Sequence, residues 1–107
     1  MSAKYWQRGE TIDYTATEAV SNGDVVDLAT RIGVAGNDIA ANETGAVHVV
    51  GVFEIPKATG EITLGAAVYW DKSTKNITTT SDSNTPAGWA VAAAKNADAT
   101  VLVKLLG

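Results

Sequence analysis

Hydrophobic positions recur along most of this chain with a period of two rather than 3.6. In "AVHVVGVFEIP", Val47, Val49, Gly51, Phe53 and Ile55 share one face, while Ala46, His48, Val50, Val52 and Glu54 share the other. The pattern predicts one long strand that is apolar on both faces in its middle. Such a strand needs cover twice, from a second sheet on one side and a neighbouring subunit on the other. Gly51 is the expected place for a bulge or bend. The closing "ATVLVKLLG" sets Val101, Val103 and Leu105 against Leu102, Lys104 and Leu106, and "TIDYTAT" sets Ile12 and Tyr14 against Thr11, Asp13 and Thr15.

Shorter runs at "DVVDLATRIGVA", "AAVYWD", "NITTT" and "GWAVAAA" carry β-branched or aromatic residues between turn-forming ones. "KSTK" predicts a hairpin turn between two of them, and "VSNGD" and "KNAD" predict further turns. "SDSNTPAG" predicts a loop broken by Pro86 and Gly88. The Ala-rich "AGWAVAAAKNADAT" competes as a helix, since Ala is the strongest helix former, but the Trp-Ala-Val alternation after Gly88 favours a strand. The expectation is an all-β fold, a small barrel or sandwich of about eight or nine short strands. An extended arm over 1–10 precedes a single β domain over 11–107.

An internal echo runs through the chain. "GDVVDL…IGVAGNDIAANETGAVHVVG" resembles "GAAVYWD…GWAVAAAKNADATVLVKLLG" in order and spacing, apart from a longer loop in the second copy. A duplication predicts two similar β-units; chance likeness between small-residue β segments is the competing explanation.

With 107 residues, one core is expected, and the absence of Cys leaves stability to packing. The net charge of −4, with the eight basic residues scattered, argues against a phosphate-backbone binder. No apolar run is long enough for a membrane span, and the opening "MSAKYWQRGE" lacks the apolar stretch of a signal peptide. Synthesis and use in the cytosol, or release from it by lysis, is the expectation.

Candidate chemistry is sparse. His48 is the only histidine and sits mid-strand, where a partly buried or subunit-contacting role outweighs that of a catalytic base. One His and no Cys cannot assemble the usual zinc set, and neither "NGDVVD" nor "AGNDIAANE" has calcium-loop spacing. Glu54, just before Pro56, is the best isolated carboxylate for glycosidase-type chemistry, but a second one flanking a cleft is not identifiable. "GEITLGAA" approaches a P-loop but has Ala66 and Ala67 where the Lys and Ser/Thr belong, so nothing would reach the phosphates or magnesium. No enzyme, cofactor or metal is expected.

The aromatics remain. Trp70 and Trp89 lie in strand patterns and suit core packing for at least one of them. Tyr5 and Trp6 precede the first periodic strand, flanked by Lys4, Gln7 and Arg8. Either they anchor an arm that docks on something, or a first edge strand tucks Trp6 into its own core.

The order of motifs resembles a known family. Gly9–Glu10–Thr11 after an aromatic arm, "GVFEIPK" from Gly51 to Lys57, "GAAVYWD" from Gly65 to Asp71, and "GWA" from Gly88 to Ala90 are similar to the capsid cement, or head decoration, proteins of tailed bacteriophages. The likeness runs over nearly the whole chain. Members have often carried a RecA/RadA-type recombinase label, which the incomplete P-loop here contradicts. The resemblance implies a non-enzymatic β-rich protein on the outer surface of the virion's capsid shell, assembled in the host cytoplasm. Its implied partners are the major capsid protein and itself, as a homo-oligomer with a trimer favoured over a dimer, and neither nucleic acid nor membrane. Another virion role, in head–tail joining, tail or fibre, and a ligand-binding β-barrel module are the alternatives. On physical grounds the contact residues, to capsid or sister subunit, are Tyr5, Trp6, Gln7 and Arg8 on the arm and His48, Val50 and Val52 on the two-faced strand.

Overall fold

The computed structural model describes residues 2–106. Nine strands follow in chain order: β1 (Thr11–Thr15), β2 (Val25–Asp27), β3 (Ile32–Ala35), β4 (Thr44–His48), β5 (Val52–Pro56), β6 (Ala67–Asp71), β7 (Asn76–Thr78), β8 (Thr85–Ala90) and β9 (Thr100–Leu105). No helix occurs among the described residues, so the Ala-rich segment resolves as strand and turn. Two antiparallel sheets form, one ordered β1-β4-β3-β2 and the other β5-β9-β8-β6-β7. The architecture is sandwich-like; it is not a closed barrel.

The predicted long strand over 46–55 is broken. β4 ends at His48 in the first sheet and β5 begins at Val52 in the second. Gly51, at φ +127°, makes the break, a conformation that residues with a Cβ rarely adopt. The alternation survives across it. Val47, Val49 and Ile55 are buried and Phe53 is half-buried, while Val50 and Val52 are exposed. A second correction concerns "TPAG", expected as loop: Pro86 and Gly88 lie inside β8. Pro86 is exposed and Gly88 sits in a left-handed conformation at φ +149°.

The strand buried throughout is β3, the short "IGVA". Ile32 and Val34 join the larger core with Ile55, Val68, Trp70, Ile77, Val101, Val103 and Leu105. Ala35 faces the smaller core of Ala16, Val26, Ile39, Val47 and Val49. β3 is therefore a shared wall between two cores. A side-chain link reinforces it, as the Thr85 hydroxyl of β8 donates to the Asp27 carboxylate of β2 at 2.9 and 3.0 Å.

The halves repeat each other bond for bond. Val20 and Ile39 exchange backbone hydrogen bonds, as do Ile62 and Ala94. Gly23 N–H donates to Ala35 and Gly65 N–H to Ala90, both at 2.8 Å; the return bonds run from Ala35 to Asp24 and from Ala90 to Ala66. Ala16 donates to Glu43 as Lys57 does to Ala99, and Val49 to Glu10 as Leu105 does to Gly51, all at 3.0 Å. β1, β2, β3 and β4 thus correspond to β5, β6, β8 and β9. The internal echo in the sequence is a repeat of topology and register.

One element has no counterpart. β7 pairs with β6 through Tyr69, Trp70 and Asp71, and its Ile77 carbonyl accepts a 2.8 Å bond from Ala58 N–H just past β5. β7 bridges the gap between β5 and β6 that the first unit leaves open between β1 and β2. The four-residue turn into β7 is held by Asp71, whose carboxylate accepts from the Ser73 hydroxyl at 2.6 Å and from its N–H at 3.0 Å. Those bonds, the Ser73 hydroxyl first, hold the Asp71 carboxyl below the usual aspartate range.

Lys57 closes the second unit from within. It is buried, and its ammonium donates to the carbonyls of Lys95, Asn96 and Asp98 at 3.0 to 3.3 Å. The "KNAD" turn thereby gains a charged partner for three acceptors. Ala16 occupies the equivalent place in the first unit, where Asn42 N–H instead donates to the Ala16 carbonyl.

Candidate functional site

Two exposed surfaces stand out, the N-terminal arm and the outer face of the second sheet. Residues 2–9 form no strand, and Tyr5 and Trp6 are 80% and 84% exposed. Trp6 is therefore outside the core, which rejects the reading of a tucked first strand. Gln7 ties the base of the arm to β1 by donating to the Thr11 carbonyl at 2.8 Å. Arg8 and Glu10 form a 3.2 Å ion pair on the surface, with side chains 85% and 63% exposed, a pair that holds little energy. Leaving two aromatic rings in water opposes the hydrophobic effect, since each can bury about 150 to 250 Å².

The other three predicted contact residues do not form one face. His48 ends β4 in the first sheet, opposite Thr11 of β1 and Val34 of β3. Its ring is half-buried and tilted against Phe53, with centroids 5.9 Å apart. Val50 lies in the connection, and only Val52 reaches the second sheet. The break at Gly51 separates what an unbroken strand would have aligned.

Val52 has neighbours that strand periodicity alone does not bring to it. On the outer face, Val52 pairs with Lys104, Lys104 with Trp89, and Trp89 with Ala67, a row across four strands. Leu102 lies in the next row opposite Glu54. Val52, Trp89 and Leu102 are each 40% or more exposed. The aliphatic stem of Lys104 lies between Val52 and Trp89, so the row is apolar with one cation at its centre. The outer positions of "ATVLVKLLG" signalled Leu102 and Lys104; the place of Trp89 beside them required the β8–β9 register.

Catalytic geometry is weak by comparison. Glu54 is exposed and accepts a 3.1 Å bond from Thr100, with no second carboxylate bonded to it. Among the described residues no group of three or more His, Cys, Asp or Glu is placed to hold a metal ion. What the exposed surfaces offer is contact: an aromatic arm and an apolar strip on a rigid sheet.

Residues 6–105 match the model of a family described as phage cement protein. The chain belongs to that family. No curated protein and no solved structure matches it. As a phage cement protein it is a structural protein of the phage capsid, associated with the capsid in the virion. The matched span starts at Trp6 and takes in both sheets, so the cement family extends over every strand described above.

Proposed function

We propose that this cement protein binds the outer surface of the major capsid shell and stabilises it, without enzymatic activity. The observation that carries the reading is the match over residues 6–105 to the phage cement family, together with two exposed apolar surfaces on one small chain. DNA packaging loads the shell with outward pressure, and a protein that bridges neighbouring capsomers adds binding free energy that rupture must overcome. Each contact needs only modest strength, because an oligomer held at one point engages its remaining sites at high effective concentration.

The outer strip of Val52, Trp89 and Leu102 is the capsid-facing surface in this reading, and Val50 and His48, which lie off that face, are contacts to a sister subunit. Tyr5, Trp6, Gln7 and Arg8 supply the second contact, to capsid or sister subunit. A homo-oligomer, with a trimer favoured, lets several strips engage one local symmetry axis. The domain organisation that accompanies this is an arm over 1–10 and one β domain over 11–107. Neither nucleic acid nor membrane is a partner, in keeping with the net charge of −4 and the scattered basic residues. Assembly takes place in the host cytoplasm.

Co-sedimentation with capsids of the same phage tests the reading. Saturable binding to mature capsids, and deletion virions that rupture at lower temperature, are expected. Purified protein that stays in the supernatant, or immunogold label confined to neck or tail, overturns it in favour of another virion role.

A further inference from the structure

The repeat makes one asymmetry informative. In the second unit β7 sits between Ala58 and Tyr69. The equivalent residues of the first unit are Thr17 and Asp27, and between them lies a groove of about 550 Å³. Its floor carries Tyr14, Val20, Val25 and, from the other unit, Pro56 and Trp70. Both of its backbone edges are open. Thr17 N–H has no backbone partner among the described residues, whereas its counterpart at Ala58 donates to β7. Along β2, Ala35 N–H bonds to Asp24 and Leu28 N–H to Arg31, so the even-numbered residues face β3. By the alternation of an antiparallel ladder, the N–H and C=O groups of Val25 and Asp27 face the groove.

We infer that this groove receives the N-terminal arm of a second copy as an added strand, in the place that β7 fills in the other unit. Three observations select the arm. It forms no strand of its own, and residues 2–9 can span up to about 26 Å, enough to run the length of β2 and beyond. It carries two exposed aromatic rings, and the groove has an apolar floor. It places Lys4 and Arg8 on either side of those rings, and the charged lining of the groove, Glu18, Asp24 and Asp27 against Lys72 and Lys75, is on balance acidic. A chain does not reach its own groove directly. The arm leaves β1 at Thr11, whereas the groove opens beyond Thr15 at the other end of the strand, and no arm residue lines it.

Arm-to-groove contact joins two different surfaces, so it closes either as a reciprocal exchange between two copies or as a cyclic ring. The inference rests on the self-association part of the function proposed above and is independent of capsid binding. Strand addition provides backbone hydrogen bonds, and the aromatic side chains provide register.

The test uses the full chain, which has no native Cys. Chains carrying Gln7→Cys are mixed with chains carrying Thr17→Cys and treated with a short bismaleimide. An inter-chain adduct is expected, together with an oligomer by light scattering in the unmodified protein. Val25→Pro removes a groove-facing donor while leaving the β2–β3 ladder intact, and should weaken self-association at least 10-fold with the melting temperature preserved. Should that variant not fold, Asp24→Lys with Glu18→Lys should weaken association and be rescued by Lys4→Glu with Arg8→Glu. A monomer at every concentration overturns the exchange along with the oligomer reading. An oligomer without the inter-chain adduct, or an adduct formed only within a chain carrying both cysteines, overturns the exchange alone, and capsid co-sedimentation is read separately.

Discussion

Gly88 lies directly against the backbone of Lys104, so close that a Cβ at Gly88 would overlap the Lys104 carbonyl. Gly33 stands at the equivalent point of the first unit, where a Cβ would meet the Val47 side chain and sit 2.9 Å from the His48 carbonyl oxygen. Two glycines thus let β8 lie close against β9, and β3 against β4, at the same place in each repeat. Gly88 also holds φ at +149°, so substitution there meets both strain and collision. Gly88→Ala is expected to cost about 3 kcal/mol or more, seen as a lower urea midpoint at unchanged slope. A variant as stable as the parent would mean that β8 and β9 can separate without loss.

Lys57 offers a second test of the fold. Replacing it by Met keeps the buried stem but removes the charged donor from the carbonyls of Lys95, Asn96 and Asp98, of which the first two keep a backbone N–H, from Asp98 and Gly60. The expected loss is about 1 to 3 kcal/mol, with faster amide exchange concentrated in the 95–100 turn.

The β6–β7 turn should respond to acid. Asp71 is held below the usual aspartate range by the Ser73 hydroxyl and N–H. Since the folded value lies below the unfolded one, the contribution is complete above the ordinary aspartate range and disappears as pH falls through the lowered value. The amide resonances of Ser73 and Thr74 should shift in that window, and Asp71→Asn should abolish the pH dependence without unfolding the chain.

Trp6→Ala should separate binding from stability. A residue 84% exposed contributes little to the isolated fold, so the melting temperature should move by no more than about 2 °C. Capsid binding, measured by co-sedimentation, should fall about 10-fold or more as a hot-spot aromatic and the avidity of the oligomer are lost together. A large drop in melting temperature with binding intact would make the arm a stabilising strand.

On the sheet face, Val52→Glu and Leu102→Glu each place a charge on the outer row beside Lys104 and Glu54, respectively. Both positions are 40% or more exposed, so stability should change by about 0.5 kcal/mol or less. Capsid binding should fall at least 10-fold, since a new carboxylate on an otherwise apolar strip would have to be desolvated at the contact. Glu43→Gln, on the first unit's exposed turn, should leave binding unchanged.

The sequence by itself determined the strand class, because hydrophobic positions recurring every second residue fit the pleat of a strand and not the 3.6-residue turn of a helix. Val101, Val103 and Leu105 are buried as alternation requires, and Ile12 and Tyr14 are the half-buried face of β1. It also carried the repeat, since turn residues at matched spacing impose matched turns. Periodicity could not show that β4 and β5 belong to different sheets, because a left-handed glycine redirects the chain without disturbing the alternation on either side. Nor could it show that β3 is buried on both faces, since "IGVA" is short and its second cover comes from residues far along the chain. Tertiary structure alone decided the outer row of Val52, Lys104 and Trp89, and the groove that β7 fills in one unit and not the other. Both are products of register between distant strands, which hydrogen bonding sets and local sequence does not.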